Sequence, residues 1–139
     1  MKVKTADLVG PALDWAVATI EGYGGLRRNP HAFDQALIMN RADGQCVLFS
    51  TLNYPADWSQ GGPIIERECI GIERHRLDGP WEWAACDWHS VVVQGHTCLE
   101  RSEYSYGPTP LIAAMRCFCC AKLGEYVDIP EELCQQPNS

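Results

Sequence analysis

The sequence predicts an α+β fold, a small and mainly antiparallel sheet packed against two main helices in a single compact domain. Three observations predict it. Thr109 stands where an N-cap belongs and Pro110 suits a first helical position, and Leu111, Ile112, Met115, Phe118 and Cys119 then recur at helical spacing up to Gly124. Leu13, Ala16, Val17 and Ile20 mark a second apolar helical face between Pro11 and Glu21. Between these helices, short stretches with strand character are separated by the turn signals Asp43-Gly44 and Asp78-Gly79-Pro80. A length of 139 residues with 46% hydrophobic content is enough for one buried core.

In chain order, Thr5 is a candidate cap for a short helical turn. Gly10-Pro11 restarts the helix that Gly22, Gly24 and Gly25 stop. Arg27-Arg28-Asn29-Pro30 has the composition of a loop, and residues 36–39 and 46–49 form a hairpin across Asp43-Gly44. Residues 54–63 read as a loop, with Pro63 opening one or two helical turns over 64–68. Ile70 and Ile72 alternate with Gly71 and Glu73 in a strand that pairs with residues 81–85. Residues 90–94 read as an edge strand or loop, and residues 95–105 are polar and expected to be mobile. An extended piece at 127–129, a helical turn at Pro130-Glu131 and a frayed tail over 134–139 complete the chain.

The formal net charge of −7 argues against a nucleic-acid polymer or a membrane surface as partner, while leaving room for a local basic pocket. The longest apolar runs, such as Val91-Val92-Val93, are far too short to span a bilayer. No signal-peptide core follows the basic start Met1-Lys2-Val3-Lys4, so a cytoplasmic protein is expected. The eight cysteines are accordingly read as reduced thiols, several of them buried.

Three blocks carry a family resemblance: residues 12–22 from Ala12-Leu13-Asp14-Trp15 to Glu21-Gly22, residues 57–68 from Asp57-Trp58-Ser59 to Glu66-Arg67-Glu68, and residues 107–117 from Gly107-Pro108-Thr109-Pro110 to Arg116-Cys117. Together, and in this order, the chain resembles the NinX-like accessory proteins of tailed bacteriophages and prophages. The resemblance runs from about Lys2 to Leu133, although residues 26–49 and 87–105 do not take part in it and Cys119-Cys120 departs from the pattern. It implies a phage or prophage origin, and so the cytoplasm of a bacterial host. The family has no assigned biochemical function, so the resemblance brings no mechanism and no catalytic residues.

Two of these blocks place glycine and proline at an expected helix start, each with an aromatic just upstream. Unpaired N–H groups and the helix dipole make such starts anion sites. Trp58, Ser59, Gln60, Gly61, Gly62 and Pro63 with Arg67, and Tyr106, Gly107, Pro108 and Thr109 with Arg116, are therefore the candidate site residues for a small anionic, nucleotide-like ligand. The plainer alternative makes both blocks ordinary helix starts and both arginines surface ion-pair partners. Arg116 lies almost two turns into its helix, at reach of a far rim or of a neighbouring subunit, so a homo-oligomer stays open.

Other constellations carry less. Cys86, His89, His96 and Cys98 are zinc-ligand types, but C-x2-H followed by H-x-C is not a zinc-finger spacing, and no metal site is assigned. The C-x-x-C of Cys117 and Cys120 falls in the second half of a helix, where the dipole opposes a thiolate. Trp81, Trp83 and Trp88 lack the basic groove of a single-strand nucleic-acid platform. Glu66, Glu68 and Glu73 have neither a nucleophile nor an orienting group beside them, so no catalytic residues and no cofactor are assigned. The sequence thus predicts a non-enzymatic binding protein, with sequestration of a host defence signal as one use in a phage setting. The alternative is an interaction module that modulates a host or phage complex through the tryptophan-rich strand and acidic surface.

Overall fold

A computed structural model describes residues 1–76 and 78–134. Antiparallel sheets and four helices make it an α+β domain. Strand β1 (Lys2–Lys4) pairs with β9 (Tyr126–Asp128), so the first residues lie beside the segment that follows the main helix. The 3-10 turn Thr5–Asp7 comes next. Thr5 does not cap it, because Lys4 holds the cap position. The Thr5 side chain is instead fully buried, and its Oγ1 donates to the Gly124 carbonyl at 2.6 Å.

Helix α1 (Gly10–Ile20) has Pro11 in its first turn and buries Leu13, Ala16 and Val17. A three-stranded sheet follows in the order β2 (Gly24–Arg28), β3 (Leu37–Asn40) and β4 (Cys46–Leu48). The expected β3–β4 hairpin is present, pairing Ile38 with Leu48 and Asn40 with Cys46. Arg27 and Arg28, expected in a loop, belong to β2 and pair with Ile38 and Leu37. The strand carries a bulge between Gly24 and Arg27, and its residues are mostly exposed, which removes the apolar alternation that would have marked it.

A 3-10 turn at Phe49–Thr51 leads towards α2 (Trp58–Arg67). This helix begins five residues earlier than Pro63 suggests, which corrects the reading of residues 58–63 as a loop. Asp57 is the N-cap, with Oδ1 accepting from Ser59 N at 2.9 Å, and Pro63 lies inside the helix. A side-chain cap satisfies an orphan donor at the start, and the apolar face that seats Ile64 in the core outweighs the glycine and proline inside the helix.

The main sheet is built on β6 (Glu82–Val93). Its first half pairs with β5 (Ile70–His75) along one edge and with β8 (Ser105–Gly107) along the other. Its second half pairs with β7 (His96–Arg101). Residues 96–101, expected to be mobile, are therefore a paired strand. Helix α3 (Pro110–Leu123) packs on this sheet and against α1 and α2. Thr109 Oγ1 accepts from Ile112 N at 3.1 Å, Pro110 sits in the first turn, and Gly124 ends the helix at φ 83°. Leu111, Met115 and Phe118 join Leu13, Val17, Met39 and Ile64 in the core. Helix α4 (Glu131–Cys134) follows Pro130 as a single turn, and residues 135–139 of the expected frayed tail lie outside the described residues.

All eight cysteines are free thiols. Burial pushes the Cys117 thiol up to about 12 and also raises Cys119 and Cys120, the opposite of what a reactive thiolate needs. Among the described residues, no helix is long and apolar enough to cross a membrane.

Candidate functional site

The alternation of β8 decides what Tyr106 and Gly107 do. Gly107 lies opposite Trp83, Tyr106 opposite Ala84 and Ser105 opposite Ala85. Neighbouring residues of a strand point to opposite faces. Ser105 and Gly107 thus turn towards α3, and Tyr106 turns to the outer face. A Cβ on Gly107 would stand 2.8 Å from Ala113 N and 3.0 Å from Ile112 Cγ2. The glycine is there so that the strand can approach the first turn of α3, which replaces the expectation that it admits a ligand. The Thr109 hydroxyl is likewise occupied by the cap.

Arg116 reaches back from α3 across this junction. Its Nε donates to the Leu8 carbonyl at 2.8 Å and its Nη1 to the Tyr106 carbonyl at 2.8 Å. The half-buried guanidinium therefore ties the segment after β1, strand β8 and α3 together. It also forms part of a groove of about 520 Å³, walled by Tyr104, Tyr106, Pro108, Pro80 and Trp81 and carrying the carboxylates of Asp7 and Glu82. Trp81 is 54% exposed, and the Arg74 guanidinium lies 5.5 Å from its ring centroid and 5.3 Å from that of Trp83.

A polar aromatic cluster continues from the groove over the outer sheet face. The Tyr106 hydroxyl is 3.4 Å from His75 Nδ1, and His75 Nε2 is 3.5 Å from a Glu73 carboxylate oxygen. Tyr104 donates its hydroxyl to Glu73 and packs edge-on against His75 with ring centroids 4.4 Å apart. That hydrogen bond holds the Glu73 carboxyl below its usual range and raises the Tyr104 phenol. The Arg101 guanidinium stacks over the Tyr104 ring at 4.2 Å. The rings are thus held in place by partners on three strands and the loop that follows β7. A smaller cleft of about 150 Å³ opens between His75, Asp78, Pro80, Glu82 and Tyr106.

Of the twelve candidate residues, Tyr106, Gly107, Pro108 and Arg116 line the groove, whereas Trp58–Pro63 and Arg67 do not. The α2 block has other work. Trp58 is an exposed first residue, and Ser59 serves the Asp57 cap. Gln60 clamps the preceding loop, donating to the Thr51 carbonyl at 2.9 Å and accepting from Asn53 N at 2.7 Å. A Cβ on Gly61 would meet the Tyr54 carbonyl at 2.6 Å and Leu111 Cδ1 at 2.7 Å, so this glycine lets α2 settle on α3. Arg67 is paired with Glu21 and Glu68 and lies over Phe118. The two blocks do meet, but in the core, at Gly61 and Leu111.

Sequence reasoning places Trp81 only in a tryptophan-rich strand apart from the candidate site, and it leaves out Tyr104 and the acids Asp7 and Glu82. Local pattern holds no signal for Tyr104, which lies in the loop between β7 and β8 and is brought to the groove by the pairing of β8 with β6.

No curated protein matches the chain. The family model described as Bacteriophage P22, NinX matches residues 4–122, which takes in all three resemblance blocks and the whole groove. The chain belongs to the phage NinX family.

Proposed function

We propose that the protein is a non-catalytic interaction module, and that its groove takes an extended, proline-containing segment with a basic residue from a partner protein. The observation that carries this reading is the chemistry of the groove. Trp81, Tyr104 and Tyr106 stand beside Pro80 and Pro108 along β8, with Asp7 and Glu82 in the lining. Aromatic-lined grooves suit polyproline II segments, and carboxylates suit their basic residues. Addition of a strand to β8 is less suitable, because Arg116 already occupies the Tyr106 carbonyl.

A small nucleotide-like anion is the second reading, favoured by the presence of Arg116 and Trp81 in one groove. Sequestration of a host defence signal would be its use. Two carboxylates in the same groove and a chain charge of −7 weigh against it.

Calorimetry against proline-rich peptides with and without arginine, and against a nucleotide panel, separates the two. The expected result is peptide binding that needs arginine and that Tyr106→Ala weakens about tenfold or more without loss of fold. Nucleotide binding with no peptide binding would reverse the order of the readings.

A further inference from the structure

The second half of β6 and all of β7 leave the body of the protein as a two-stranded ribbon. Strand β5 pairs with residues 82–87 of β6 only, whereas β7 pairs with residues 88–93. Every residue of β7 is exposed, Val92 and Leu99 are 73% and 70% exposed, and Trp88 is 44% exposed. Its base is anchored by Trp88, whose backbone N–H donates to the Cys69 carbonyl at 3.2 Å, but among the described residues no strand pairs with the outer edge of β7, and an isolated two-stranded hairpin is marginal in water.

The turn fixes which backbone groups point outwards. Gln94 and Gly95 have φ of 51° and 81°, a two-residue turn between the paired Val93 and His96. The pair flanking such a turn is hydrogen-bonded, and the bonding alternates along the ladder. Cys98 and Glu100 therefore bond to β6, and Thr97 and Leu99 turn their N–H and C=O groups to the free edge.

We propose that this edge pairs with the same edge of a second copy of the chain, antiparallel, with Cys98 opposite Cys98. Charge selects the occupant and the register. In a chain of net charge −7, residues 88–101 hold one carboxylate, Glu100, and one guanidinium, Arg101, so two copies meet there without the repulsion they meet elsewhere. Only registers that oppose Thr97 and Leu99 to outward-facing residues make ladder bonds. Among these, Cys98 opposite Cys98 bonds Thr97 to Leu99 twice and sets His96 opposite Glu100 twice, in the closely spaced pairs where opposite charges count most. Centring on Leu99 instead sets Cys98 opposite Glu100 and wastes the imidazoles. This dimer is independent of the groove, and its outcome does not depend on the groove's ligand.

The register makes the test direct. Opposed residues in a non-hydrogen-bonded pair have Cα atoms about 4.5 Å apart, within disulfide range. The reduced full-length protein is examined by sedimentation, then treated with diamide and mapped by peptide mass spectrometry. A dimer is expected, with a covalent link at Cys98 that Cys98→Ser removes while leaving the non-covalent dimer. Leu99→Lys, at an exposed position that leaves the hairpin bonds alone, is expected to weaken dimerisation about tenfold or more. A monomer at all concentrations, a dimer linked only through other cysteines, or a dimer indifferent to Leu99→Lys overturns the proposal.

Discussion

The two glycine-proline blocks, residues 61–63 and 107–110, are alike in composition and opposite in use. The first lies within α2 and the second ends β8 and starts α3. Each has a glycine pressed against a neighbour, Gly61 on Tyr54 and Leu111, Gly107 on Ala113. Each is also seated by an ionisable side chain, a buried Asp14 in one case and a half-buried Arg116 in the other. Beneath α2, Asp14 Oδ1 accepts from Tyr54 N at 2.9 Å. Beside α3, Arg116 holds the Leu8 and Tyr106 carbonyls. The difference teaches that glycine and proline do not place a helix start. The upstream side chain that can cap does so, Asp57 in one block and Thr109 in the other.

The largest expected effect strikes the contact between the blocks. Leu111→Ala empties the space against Gly61 and is expected to cost about 2–5 kcal/mol in urea unfolding. A cost near zero would mean that the two blocks do not share a core. The next comparison is between adjacent glycines. Gly61→Ala forces a methyl into the Tyr54 carbonyl and is expected to cost about 1–3 kcal/mol. A Cβ on Gly62 meets nothing within 4 Å, so Gly62→Ala is expected to stabilise α2 by about 0.5–1 kcal/mol. Opposite signs at neighbouring positions would confirm that the segment is helix; equal signs would restore the loop.

The third effect is confined to a pH window and sharpens the contrast between the two seats. Burial, opposed by the Tyr54 hydrogen bond, pushes the Asp14 carboxyl from 3.8 up to about 7. The folded state therefore holds this proton more tightly than the unfolded chain. Its contribution is fully present below about pH 4 and is lost as pH rises through about 7. Asp14→Asn, which keeps an acceptor for Tyr54 N, is expected to remove this decline from the stability profile, while Arg116 variants leave it in place. Thermal melts between pH 4 and 8 measure it, and identical profiles for the wild type and Asp14→Asn would refute the assignment.

Much of the fold is legible in local pattern. Helix α3 announces its cap, first turn, apolar face and terminator within sixteen residues, Thr109 to Gly124. The β3–β4 hairpin and the β5–β6 pair follow from alternation around turn signals. Helix α2 carries a signal too, since Asp57 precedes Gln60 by three residues as in a capping box, but Gly61-Gly62-Pro63 has the local composition of a break. Strands β2 and β7 have no buried face to write a period into the sequence. In the site, Tyr106, Gly107, Pro108 and Arg116 came from one legible block. Trp81 and Tyr104 joined them through strand pairing, and such long-range register is not written in either segment alone.

The pairing of β1 with β9 has a consequence for how the molecule comes into being. Lys4 finds Tyr126, Met1 reaches the Ile129 carbonyl, and Thr5 bonds to the Gly124 carbonyl, all across more than 110 positions of chain. On a ribosome that adds about 5–20 residues each second, β1 waits roughly 6–25 s for its partner to be made. Contacts of such separation close late because the loop entropy must be met first. Strand β1 is thus made long before it is fixed, and α3 gains its final C-terminal fastening only when β1 and β9 meet.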